Sequence, residues 1–165
     1  MDPVTASVKI DRPREEVFEY LADIANHQEF SDHYLKEWRL LRVDSYGRGA
    51  GARFKIDAPL DRFGWGDITF IEVERPHRIV AAGRSGKFNR NKTWTEWTLD
   101  PNGANSTNVE VTTESEAALP TDRLFEALTR RRGWFKRRLN RSLRRLQPIL
   151  EEDHDRGARA TVGGL

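Results

Sequence analysis

At 165 residues the chain is long enough for one domain with its own core and short for two. It has no cysteine, which excludes disulfides, thiolate metal sites and cysteine nucleophiles, and its five Trp and eight Phe argue against disorder. The net charge of +2 is unevenly spread: residues 123–145 hold ten basic side chains and one acid, Glu126, a net of +9 that leaves −7 on the remainder.

Val4–Ile10 alternates apolar and polar residues and predicts a first strand. Asp11 is expected to cap a helix whose first turn accommodates Pro13 and whose positive end suits Glu15 and Glu16. Val17, Phe18, Tyr20 and Leu21 make that helix amphipathic up to Asp23, and a second short helix is expected over Asn26–His33. Six strands follow, at Leu35–Val43, Ala52–Asp57, Gly66–Val73, Arg78–Gly83, Trp94–Leu99 and Val109–Ser115, each rich in β-branched or aromatic residues. Turn residues separate them, and connections this short require antiparallel pairing. Gly47-Arg48-Gly49-Ala50-Gly51 lies between two strands and opens no helix, so it reads as a hairpin turn and not a phosphate loop.

A long helix is expected from about Asp122 to Glu152, with Leu124, Leu128, Phe135, Leu139, Leu143, Leu146 and Leu150 forming its apolar stripe. Pro148 should kink or thin its last turn. The expected domain is therefore residues 1–152, with 153–165 a flexible tail. This order specifies an α+β fold in which a seven-stranded curved antiparallel sheet wraps around the long C-terminal helix. Two short helices follow the first strand. Such a sheet does not close fully on its helix, and the gap is a natural pocket.

The run Ile10-Asp11-Arg12-Pro13-Arg14-Glu15-Glu16-Val17-Phe18, followed by Leu21-Ala22-Asp23, resembles the opening of a known family. Gly49-Ala50-Gly51-Ala52-Arg53-Phe54 and Glu72-Val73-Glu74-Arg75-Pro76-His77-Arg78-Ile79 are similar to its next two signatures. Trp97-Thr98-Leu99-Asp100-Pro101-Asn102-Gly103 is similar to its penultimate hairpin. The family is the polyketide cyclase/dehydrase-like branch of the START and Bet v 1-like (SRPBCC) superfamily, and the resemblance spans about residues 4–150. It implies the helix-grip fold with an internal cavity. It does not imply one activity, because members include carriers, cyclases, toxins and stress proteins.

The wall expected for that cavity takes Trp38, Phe54, Ile56, Ile71 and Trp97 from strands, with Trp97 facing in and Trp94 out. Phe63, Trp65 and Phe88 are expected from turns at its rim, and Leu128 and Phe135 from the helix. Arg131 and Arg132 interrupt the helical stripe, and one of them is expected to reach the pocket and favour a ligand with an anionic or carbonyl oxygen. Asp67 or Glu96 would be its carboxylate partner within the protein. Of the four histidines, His77 and His154 are expected on the surface, and His27 and His33 flank the second short helix without forming a metal pair. No catalytic residue, metal or cofactor is assigned.

Arg130, Trp134, Arg137, Arg138, Arg141, Arg144 and Arg145 are expected on the helix's outer face. That face suits an acidic partner: nucleic acid, an anionic membrane, a second copy, or the acidic remainder of this domain. The leading expectation is binding or transport of a small hydrophobic molecule, lipid or polyketide-like, in the cytoplasm. The alternatives are an aromatase/cyclase-type enzyme and a module that presents the basic helix to RNA or membrane.

Overall fold

The computed structural model describes residues 1–59, 64–121, 123–124, 131–152 and 159–162. The first strand, β1 (Val4–Ile10), leads into α1 (Arg14–Ala22), a short 3₁₀ turn (Ile24–Asn26) and α2 (His27–Ser31). Six strands follow: β2 (Leu35–Leu40), β3 (Gly51–Ile56), β4 (Trp65–Glu74), β5 (Arg78–Ser85), β6 (Asn91–Pro101) and β7 (Thr107–Glu116). The long helix α3 is Arg131–Glu152. Every expected strand is present, and all seven pair antiparallel in the order β1-β7-β6-β5-β4-β3-β2.

Each meander connection is short enough to keep neighbours adjacent, and only β1 crosses over, pairing with the last strand. Two register shifts bend the sheet, one in β2 between Lys36 and Arg39 and one in β4 between Phe70 and Glu72. An extra residue in one strand of a pair increases local twist, which is how an open sheet curls around a helix. The β2–β3 turn needs Gly47 and Gly49 at φ +71° and +89°, a conformation costly for residues with a Cβ. The amide of Gly49 donates to Phe70 O, tying this turn to the bulged region of β4.

Helix α3 lies against β1 and α2. Leu139, Leu143, Leu146 and Ile149 are buried there, with Val17, Phe18 and Leu21 of α1 in the same core. Its C-terminal end is held by Arg12, which donates from Nε to Leu150 O and from Nη2 to Glu151 O at 2.8 and 2.7 Å. A guanidinium at the negative helix end satisfies carbonyls that have no partner within the helix. The Glu151 carboxylate in turn accepts from the Asp11 amide.

Several expectations shift. Asp11 does not cap α1; Pro13 occupies the cap position with no side-chain bond. β2 ends at Leu40, leaving Val43 exposed. Leu124 is 61% exposed, so it does not belong to the buried stripe, and Leu128 lies outside the described residues. Of the segment expected as a free tail, residues 159–162 lie against the body. Arg159 pairs with Asp23, the Ala160 amide donates to Ala25 O, and Thr161 O accepts from the Leu40 amide. Among the described residues no helix is long and apolar enough to cross a membrane.

Candidate functional site: an aromatic cavity under the helix

The concave side of the sheet, α2 and α3 line a cavity of about 110 Å³ that opens to solvent. Strand alternation decides who faces it. Phe54 and Ile56 of β3, Ile68 and Phe70 of β4, Ala81 of β5, Thr95 and Trp97 of β6, and Val111 of β7 all share the inner face. Trp38 of β2 stacks on Phe54 with ring centroids 4.9 Å apart and planes 17° apart. From the helix, Phe135, Leu139 and Arg131 complete the wall. Besides these rings and aliphatic groups, the lining includes Asp67, Arg84, Asn91, Thr93 and Thr113.

His27 is the wall residue that sequence reasoning left on the periphery. It starts α2 and is 4% exposed, set among Phe30, Phe70 and Trp97 at centroid separations of 5.3–5.6 Å and Trp38 at 6.5 Å. Its Nε2 lies 2.8 Å from Leu21 O. A carbonyl only accepts, so Nε2 carries the proton, and Nδ1 is the ring's remaining acceptor. Burial holds its pKa down to about 4, against a smaller opposing pull from the Leu21 bond and the Asp23 charge, so the ring is neutral at pH 7. Trp38, 3% exposed, has an indole Nε1 with no hydrogen-bond partner among the described residues. Both belong to the aromatic part of the cavity wall.

The other expected wall residues divide clearly. Trp38, Phe54, Ile56, Trp97, Arg131 and Phe135 line the cavity. Phe63 lies outside the described residues, as Leu128 does. Ile71 is not in the wall: Phe70 takes the inner position, and Ile71 falls in the bulge with its side chain 38% exposed. Trp65 is also turned away, and Arg53 of the adjacent strand stands 5.3 Å over its ring. Phe88 is 84% exposed, in a tight turn at φ +61°, and does not line the cavity.

Of the paired arginines, Arg131 lies in the wall with its guanidinium 5.8 Å from the Phe135 ring. Arg132 is exposed and reaches Pro3 O instead. Asp67 borders the cavity with its carboxylate accepting from the Arg84 amide, whereas Glu96 is on the outer face of the sheet and pairs with Arg78.

The expected basic outer face is narrower than the sequence suggests. Trp134 is buried, edge-on to Tyr34 at 5.9 Å and beneath the Arg138 guanidinium at 5.2 Å. Arg145 turns towards α2, pairs with Asp32 and donates to Glu29 O at 3.0 Å. Arg137, Arg141 and Arg144 are exposed; Arg130 lies outside the described residues. His33 sits between α2 and these arginines, where burial and then the Arg141 and Arg145 charges lower its pKa to about 4. His77 lies 3.0 Å from Arg14 Nη1, and His154 is outside the described residues. Among the described residues no group of three or more acidic or histidine side chains could hold a metal.

Comparison with known proteins agrees with this geometry. The family described as polyketide cyclase / dehydrase and lipid transport matches residues 1–151. Among solved structures, TTHA0849 from Thermus thermophilus is 18% identical with a TM-score of 0.67, covering 90% of this chain and 96% of that one. The KanY protein is 17% identical with a TM-score of 0.68, at 90% and 96% coverage. Norcoclaurine synthase from Thalictrum flavum, solved with dopamine and hydroxybenzaldehyde, is 12% identical with a TM-score of 0.65, at 94% and 89% coverage. At these identities the likeness is one of fold. No curated protein matches in sequence.

Proposed function

The chain belongs to the polyketide cyclase/dehydrase and lipid transport family, and we propose that it binds a small hydrophobic molecule in the cavity beneath α3. The observation that carries this reading is the aromatic part of the wall, where His27, Trp38, Phe54, Phe70 and Trp97 line one cavity. Apolar surface brought out of water by such a wall contributes about 25 cal/mol per Å², and a ring-shaped ligand meets ring faces and edges on several sides. The volume matters too. An empty cavity of about 150 Å³ admits benzene, whereas drug-sized ligands need roughly 300 Å³ or more. At about 110 Å³ the space suits a single ring.

Arg131 in the wall suits a ligand that carries an oxygen, since guanidinium groups hydrogen-bond oxygens well. The aromatase/cyclase reading requires an acid–base group opposite that arginine. His27 is the imidazole in the wall, but its neutral state and its bond to Leu21 O suit a fixed hydrogen-bonding group better than a proton carrier. Binding is the better supported reading. Native mass spectrometry of the purified protein tests it. A mass increment that disappears under gentle denaturation is expected, and Phe70→Trp, which fills the space, should remove it. An unchanged increment in Phe70→Trp would place the ligand elsewhere and overturn the reading.

A further inference from the structure

Three features of the aromatic part of the wall point the same way. Trp38 Nε1–H is a buried donor with no partner among the described residues. Burying such a group unpaired costs about 1–3 kcal/mol, so a partner is expected. His27 is buried beside it, and because Leu21 O takes the Nε2 proton, Nδ1 is an acceptor not used by that bond. Both side chains line the same cavity, and their ring centroids are 6.5 Å apart, so they are near neighbours in its wall.

Rings pack against these groups, Phe54 stacked on Trp38 and Phe70 and Trp97 around His27, and Ser31, one helical turn from His27, also lines the pocket. We infer that this part of the cavity recognises a hydroxyl group on a single-ring aromatic molecule. Trp38 Nε1 donates a hydrogen bond to the hydroxyl oxygen, and His27 Nδ1 accepts one from its O–H. A hydroxyl is the group that both accepts and donates, so it satisfies both nitrogens at once. A ketone or ether would satisfy Trp38 alone, and a carboxylate would set a negative charge against the His27 lone pair. The ring of the ligand, about benzene-sized, fills what remains of the cavity. The neutral state of His27 at pH 7 supports the arrangement, since a protonated ring would offer a donor where an acceptor is required.

This inference rests on the cavity-binding reading and deepens it. The test uses four probes in two near-isosteric pairs: phenol with toluene, and anisole with ethylbenzene. Dissociation constants are measured by NMR titration on wild type, Trp38→Phe and His27→Phe, each checked for folding by its thermal transition. Comparing ratios within a pair cancels the difference in hydration of the free probes. Trp38→Phe should lower the preference for phenol over toluene, and for anisole over ethylbenzene, about tenfold each. His27→Phe should lower only the first preference by that factor, because anisole has no proton to give.

In wild type the Trp38 indole N–H resonance, assigned through bonds by triple-resonance NMR, should move downfield with phenol and anisole and not with the two hydrocarbons. This readout decides the question if a variant fails to fold. Unchanged ratios in both variants, with all four probes bound, would mean that water alone meets these nitrogens and would overturn the inference while the cavity reading stands. If none of the four probes binds but dodecanoate does, the inference also fails and the cavity reading survives. Failure of all five probes would remove both.

Discussion

The inner and outer surfaces of this molecule are built from the same strands and the same helix, yet they follow different rules. On the inner face of the sheet, Phe70, Ile79, Ala81, Trp97, Leu99, Val109 and Val111 are nearly inaccessible, and their neighbours are rings and methyl groups. On the outer face, Arg78 pairs with Glu72, Glu74 and Glu96, and Arg53 covers Trp65. The helix repeats the contrast, with Leu139, Leu143 and Leu146 inside and Arg137, Arg141 and Arg144 outside. Inside, a side chain is held by shape, and a polar atom without a partner is costly. Outside, charges exchange partners with water at little net cost, so exposed ion pairs contribute little. Under the proposed binding reading, specificity comes from the few polar atoms on the inner face.

The neighbours Phe70 and Ile71 test that contrast most strongly. Phe70→Ala should lower stability by about 3–5 kcal/mol in chemical denaturation, as truncations of buried aromatic residues do. Ile71→Ala, one residue on and in the bulge, should change it by about 0.5 kcal/mol or less. Equal losses would show that the bulge residue packs as tightly as the core and would erase the distinction.

The next effect is set by acid. His27 has its pKa lowered from 6.5 to about 4, so between those pH values the unfolded chain takes up a proton that the folded chain refuses. Stability is then fully present above pH 6.5 and is lost as pH falls, by on the order of 3 kcal/mol at pH 4. His33, whose pKa is lowered to a similar value but which is only half buried, adds a smaller loss of the same sign. Stability curves from pH 7 to 4 should be shallower for His27→Phe than for wild type. Parallel curves would mean that His27 is protonated in the folded state.

The smallest effect belongs to the outer surface. We propose that Arg137, Arg141 and Arg144 attract polyanions weakly, on the order of 1 kcal/mol per contact at low salt. Retention on heparin or anionic vesicles should fall with salt and in the triple Arg→Glu variant. Retention that ignores salt would remove the proposal.

Much of the fold was legible along the chain, because it is written in local periodicity. The seven strands announce themselves by β-branched and aromatic runs between turn residues, and the short connections leave only antiparallel pairing. Trp97 is assigned to the inner face by alternation with Leu99 and Val109, and the structure places it there. Alternation misleads where a bulge shifts the phase, as at Ile71, because the extra residue is set by how two strands meet and not by either alone.

Helical phase carried less. A stripe through Leu128, Phe135 and Leu139 places Trp134 outside, since it lies about 140° round the helix from Leu139. It is buried because α2 covers that flank, bringing Tyr34 to its ring and Asp32 to Arg145. His27 shows the same limit at the candidate site. One histidine at the start of a five-residue helix has no repeating neighbours to reveal its direction. Three strands and α2 supply the rings around it, from residues up to 70 positions away along the chain. What the sequence alone determined is what nearest neighbours can encode: elements, their order and most strand faces. Which polar atoms are buried, and beside which rings, depends on contacts between distant elements, and only the tertiary structure decided that.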